Sequence, residues 1–160
     1  MYNSLEYSIL PAYGPGGVSE FLRTGVMSPE LKLFLNYLRE LAGDNMMLGF
    51  HGDGTFSIPD GNKMYEFSYA IADDPEGVKR QAEEMAQKAI TRNRVLQENG
   101  IECLLLCSDY CYNTGPFISP QMFEEFIQPY LYKIIAEARK DGMYTIKHTD
   151  GNIMPILEQL

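Results

Sequence analysis

Apolar residues recur along this chain with two rhythms, and their alternation lays out its architecture. Leu31, Phe34, Leu35, Leu38 and Leu41 keep helical spacing. They follow Ser28-Pro29, an N-cap with a first-turn proline, and Gly43 ends the run, so a helix is predicted over 29–42. Asp74-Pro75 repeats the start signal, with Val78, Ala82, Met85, Ala86, Ala89 and Leu96 in helical period up to Gly100. Ser119-Pro120 opens a third long helix through Phe123, Phe126, Ile127, Leu131, Ile134 and Ala138 to Gly142. Pro129 lies inside it, where the lost backbone donor predicts a kink. A last helix is expected from near Asn152 to Leu160, and a shorter helical piece around 64–70 above the strand ends. The opening through Ala12-Tyr13-Gly14-Pro15-Gly16-Gly17 has turn residues without a period, so it reads as an irregular arm followed by a short helix at 18–24.

Between the helices stand short apolar runs at 46–50, 101–107 and 143–147. Their length, and the helix on either side, predict buried parallel strands, because parallel neighbours need a crossover helix. The expected class is α/β, with residues 1–45 as an N-terminal arm and helix and 46–160 as βα units of a single domain. An open doubly wound sheet and a β/α barrel both fit this alternation. No glycine-rich dinucleotide fingerprint follows any strand, which disfavours the open-sheet nucleotide binder.

Composition narrows the function classes. The chain has 160 residues and a formal charge of −9, with 13 Lys and Arg scattered rather than clustered, a field that repels nucleic acid. The acidic balance reads as a solvated surface and implies no partner. No stretch approaches the roughly 20 apolar residues of a membrane helix. The N-terminus lacks the basic and apolar regions of a signal peptide, so a cytoplasmic protein is expected. Three cysteines without a secretory signal predict reduced thiols and no disulfide.

Chemistry in either architecture sits just beyond the C-terminal ends of the strands. Those exits read Gly49-Phe50-His51-Gly52-Asp53-Gly54, Cys107-Ser108-Asp109-Tyr110-Cys111 and Lys147-His148-Thr149-Asp150-Gly151-Asn152, and they hold both histidines of the chain. Asp and Asn are also ordinary turn and capping residues, a role that Asn152 fits. Turn preference does not explain the histidines. His51 and Asp109 are candidate catalytic residues, as general acids or bases. His148 and Asp150, on one side of an extended segment, are the candidate metal pair. Tyr110, the third candidate catalytic residue, and Tyr112 either line a pocket or pack on the following helix. Cys103 is expected in the core, and Cys107 is left open between core and site.

Four stretches in order resemble the uroporphyrinogen decarboxylase superfamily. They are Leu106-Cys107-Ser108-Asp109-Tyr110, Thr114-Gly115-Pro116-Phe117-Ile118-Ser119-Pro120, Phe123-Glu124-Glu125-Phe126-Ile127-Gln128-Pro129-Tyr130 and Ile146-Lys147-His148-Thr149-Asp150-Gly151-Asn152. The likeness covers about residues 98–157, extends to 46–97, and is absent before 45. It implies a TIM-type β/α barrel of which this chain holds about half the strands. An open half-barrel would leave strand edges and apolar core uncovered, so self-association is expected.

The resemblance implies two chemistries. Uroporphyrinogen decarboxylases work without metal, but Thr55-Phe56-Ser57-Ile58-Pro59-Asp60 stands where the family's tyrosine is expected. The cobalamin-linked methyltransferases of the superfamily use zinc, and many carry His-x-Cys at the position of His148-Thr149-Asp150. Asp150 replaces that cysteine with a harder oxygen ligand, which suits an oxygen-containing methyl donor. The favoured expectation is therefore zinc held by His148 and Asp150, with Asp109 or His51 as further ligand or proton carrier. A small-molecule substrate and a corrinoid protein partner go with it. Tetrapyrrole decarboxylation without a cofactor is the alternative, and a non-catalytic remnant serving as a binding or assembly module is the third reading.

Overall fold

In the computed structural model, residues 17–160 are described; the expected arm before Gly17 lies outside them. The elements in order are α1 (Val18–Thr24), α2 (Pro29–Ala42), β1 (Gly49–His51), α3 (Lys63–Asp73), α4 (Pro75–Glu98), β2 (Cys103–Leu106), β3 (Cys111–Tyr112), β4 (Gly115–Pro116), α5 (Pro120–Phe126), α6 (Gln128–Lys140), β5 (Tyr144–Lys147) and a closing 3-10 turn (Met154–Gln159). The mixture of helix and parallel strand is that of an α/β protein.

Local chemistry explains the helix starts. Ser28 Oγ accepts from Leu31 N–H at 3.1 Å, Asp74 from Gly77 N–H at 2.8 Å, and Ser119 Oγ from Met122 N–H at 3.2 Å. Each side chain satisfies a first-turn amide that has no partner inside the helix, and a proline follows where no amide is needed.

Two helical expectations are corrected. The predicted kink at Pro129 is a break: α5 ends at Phe126, Ile127 leaves helical geometry at φ −125°, and Pro129 falls in the first turn of α6, where its missing N–H costs nothing. The last helix is a 3-10 turn, with Ile156 N–H donating to Ile153 C=O at 2.9 Å. Pro155 supplies no amide there, so few bonds remain to continue an α-helix.

β1, β2 and β5 form a parallel sheet in that order, with Gly49 opposite Cys103 and Cys103 opposite Tyr144. Helices α4 and α6 supply the crossovers. Their facing sides, including Ala86, Ala89, Leu131 and Ile134, are buried in one core with Leu104 and Leu106 of β2. Phe21 of α1 meets Phe50 of β1 edge-on at 5.8 Å, which ties the first helix to the sheet. The strands are shorter than the apolar runs predicted. β5 departs further, since Tyr144 and Ile146 are exposed at its edge position instead of buried. A small antiparallel pair, β3 with β4, lies between β2 and α5; two-residue strands are too short to carry a readable pattern. The three cysteines are free thiols, with Cys103 and Cys111 buried.

Candidate functional site

The three strand exits meet at one end of the sheet because the strands are parallel and adjacent. After β1 the chain passes close under its neighbours, and glycine makes that passage possible. A Cβ on Gly52 would stand 2.8 Å from Leu104 Cβ, and one on Gly54 would run into Ala89 of α4. The Asn93 side-chain amide donates to Gly52 C=O at 2.8 Å, and Arg92 donates to Asp53 C=O at 2.6 Å and Leu22 C=O at 3.1 Å. The β1 exit is therefore clamped from α4.

Asp53 is the centre of the arrangement. Its Oδ1 accepts from Gly54 N–H at 2.7 Å, Thr55 N–H at 3.0 Å and Thr55 O–H at 2.9 Å. Its Oδ2 accepts from Ser108 N–H at 3.0 Å and from the Lys147 ammonium at 3.3 Å. Both side chains are only 12% exposed, so the pair is a buried one that depends on hydrogen bonding for its stability. Burial opposes ionisation of Asp53, but Lys147 and the donors from Ser108 and Thr55 prevail and hold the carboxyl below its ordinary range. Burial pulls the Lys147 ammonium down, with Asp53 pulling it back. Lys147 also donates to Ser108 C=O at 2.7 Å and Leu106 C=O at 3.1 Å, and it sits 4.1 Å over the Tyr110 ring.

Tyr110 is fully buried against Phe123 of α5, edge-on at 5.0 Å. Its hydroxyl lies 2.6 Å from Thr55 Oγ1. Because Thr55 spends its one proton on Asp53, the phenol is the donor. Burial, with the Asp53 charge second, pushes that phenol far above its ordinary value, so it stays protonated. The packing alternative is the arrangement seen for Tyr110, whereas Tyr112 is exposed.

Above this hub lies a cleft of about 630 Å³ whose walls include His51, Asp53, Arg92, Cys107, Ser108 and Asp109. Burial first, and the Arg92 charge second, push the His51 imidazole down, with Asp53 opposing, which keeps it neutral at neutral pH. Burial likewise raises the Cys107 thiol despite the opposing charge of Lys147; it is a protonated thiol rather than a ready thiolate.

At the rim, Asp109, His148 and Asp150 each offer a ligand atom, all within 4.8 Å of one another. His148 Nε2 stands 3.7 Å from Asp150 Oδ1, and both side chains are largely exposed. Asp150 N–H donates to Asp109 Oδ1 at 3.2 Å, while Tyr110 N–H donates to Thr149 Oγ1 at 2.9 Å, so the second and third exits are bonded to each other. Asp109 belongs to both the cleft and the rim cluster. His51 lies on the cleft wall and outside the cluster.

Sequence reasoning did not single out Lys147, Arg92 or Thr55. A signal existed for two of them: Lys147 is a cation closing an otherwise uncharged strand, and Arg92 stands beside Asn93 on the covered side of α4.

A comparison with protein-family models matches residues 57–160 to the family described as Uroporphyrinogen decarboxylase (URO-D). No curated protein and no solved structure matches the chain.

Proposed function

The chain belongs to the uroporphyrinogen decarboxylase family, and from that premise we propose that its strand exits bind zinc and serve cobalamin-linked methyl transfer from a small oxygen-containing methyl donor. The observation that carries this reading is the meeting of Asp109, His148 and Asp150 from two different exits beside a cleft. Zinc with ligands at about 2.0–2.2 Å needs donor atoms roughly 3.4 Å apart in a tetrahedron. The His148–Asp150 separation of 3.7 Å is close to that, and small movements of exposed side chains bring Asp109 in. One imidazole and two carboxylates leave a fourth position for substrate, the pattern of catalytic zinc. When bound, the metal supplies Lewis-acid polarisation of the donor's oxygen.

The chain's own residues do the rest. His148 and Asp150 would hold the ion, and Asp109 would join them through the carboxylate oxygen not engaged by Asp150. The oxygen that keeps the electron pair when the methyl group departs would take up a proton from solvent, with His51 on the cleft wall as proton carrier. A corrinoid protein is the partner this chemistry requires as methyl acceptor. We assign the three sequentially ordered parallel strands to consecutive units of a β/α barrel.

A second reading is decarboxylation of tetrapyrrole side chains, which the cleft favours: it is roomy, and it has His51 and Asp109 as proton carriers without any metal. Calorimetry with zinc on the wild type and His148→Ala, alongside titration of uroporphyrin fluorescence with protein, separates the readings. Zinc binding lost in the variant supports the metal site. Porphyrin binding with no zinc uptake by folded protein transfers the assignment to decarboxylation. Neither ligand leaves a non-catalytic binding role.

A further inference from the structure

We propose that the buried Asp53–Lys147 pair is a positioning device that fixes Asp109 against His148 and Asp150; the inference rests on the metal-site reading above. Lys147 does not line the cleft, and it lies behind the wall that Asp53 and Ser108 form. What it grips is backbone. Its ammonium donates to Ser108 C=O at 2.7 Å, while Asp53 accepts from Ser108 N–H at 3.0 Å. Residue 108 is thus held at both of its peptide groups, and Asp109 is the next residue. Lys147 also donates to Leu106 C=O, the same oxygen that receives His148 N–H at 2.9 Å.

The geometry joins all three exits through one cation. Asp53 comes from the first exit, Leu106 and Ser108 from the second, and Lys147 from the third, immediately before His148. The cluster itself is open to solvent and has few contacts of its own to define it. Asp109 is bonded to Asp150 N–H by one carboxylate oxygen, and its carbonyl accepts from Ile58 N–H at 2.9 Å. The placement of the candidate ligands is therefore inherited from the buried pair, in the way that partners behind a metal site orient its ligands. Lys147 and Asp53 act through other residues and touch no reacting atom.

The test uses the wild type, Lys147→Met, and the double variant Asp53→Asn with Lys147→Met. The double variant leaves no unpaired buried charge and guards against simple failure to fold. Amide hydrogen exchange of the metal-free proteins and calorimetry with zinc alone are the readouts. Faster exchange at Asp150, beyond the acceleration that lost global stability gives the β2 amides, is expected in both variants, along with zinc affinity roughly 10–100-fold weaker. A merely structural ion pair would lower stability, speed Asp150 exchange no more than that of the β2 amides, and leave zinc affinity of folded protein as in the wild type. Asp150 exchange no faster than that global acceleration overturns the positioning role whatever zinc does. Absence of zinc binding by the wild type overturns the metal reading alone, since the exchange comparison still decides the positioning claim.

Discussion

Replacing Lys147 with methionine isolates the energetics of the buried pair. The substitution keeps much of the side chain's apolar volume and removes its charge and its donors. Asp53 would then be a carboxylate 12% exposed with no cation beside it. Loss of one partner of a buried pair costs about 3–5 kcal/mol. The low end applies here, because four donors from Gly54, Thr55 and Ser108 still satisfy the carboxylate. With a urea m value of about 2 kcal/mol/M, a loss of about 3 kcal/mol lowers the unfolding midpoint by roughly 1.5 M. Asp53→Asn alone leaves Lys147 two carbonyls and the Tyr110 ring, and should cost about 2 kcal/mol. The double variant should cost about 2 kcal/mol, less than Lys147→Met because no buried charge is left unpaired, which makes the coupling roughly 3 kcal/mol, at the top of the range for residues in direct contact. Urea unfolding of the four proteins at pH 7 measures it. Additivity within about 0.5 kcal/mol would refute the reasoning, because the two charges would then not be stabilising each other.

Acid should weaken the protein in two steps of one sign. His51 is held below its ordinary value, so the unfolded chain takes up its proton first as pH falls past about 6.5. Asp53, also depressed, contributes fully above its unfolded value of about 3.9 and loses that contribution progressively as pH falls from there through its lower folded value. Urea unfolding between pH 3 and 7 should therefore show Asp53→Asn flattening only the lower step. Tyr110→Phe should cost about 1 kcal/mol by urea unfolding and leave zinc affinity unchanged, since Thr55 keeps its bond to Asp53. Gly151→Ala should cost about 1–3 kcal/mol by the same assay, because Gly151 has φ +84° and a Cβ there would meet the carbonyl oxygens of Cys111 and Tyr112. Sedimentation velocity should find concentration-dependent association through the open β5 edge with its exposed Tyr144 and Ile146; a monomer at all concentrations contradicts that expectation.

What the sequence disclosed was what local chemistry determines. Ser28, Asp74 and Ser119 announce their helices because a capping side chain and a proline act within four residues. The strand exits could be read because an apolar run followed by Gly, Asp and His changes character over two positions. The relation between exits was not legible. Nothing local to Lys147 says that its ammonium reaches back to residue 53, or that Thr55 and Tyr110 share a proton chain beneath the cleft. Those contacts depend on the parallel stacking of β1, β2 and β5, which sets residues 94 apart in sequence within 3.3 Å. Pro129 was read correctly as a disturbance, but its position allowed either a kink or a new start. The choice fell to packing, with Phe123, Phe126, Ile127 and Leu131 all buried across the break. The rim cluster follows the same division: His148 and Asp150 share a segment, whereas Asp109 joins them only through the sheet.

The most direct test of the account is X-ray absorption at the zinc edge on the zinc-loaded protein. A site built from Asp109, His148 and Asp150 predicts only nitrogen and oxygen ligands at about 2.0–2.2 Å, including one imidazole. A sulfur ligand at about 2.3 Å would place the ion on Cys107 or Cys111 and contradict the assignment of the metal to the strand-exit carboxylates and His148.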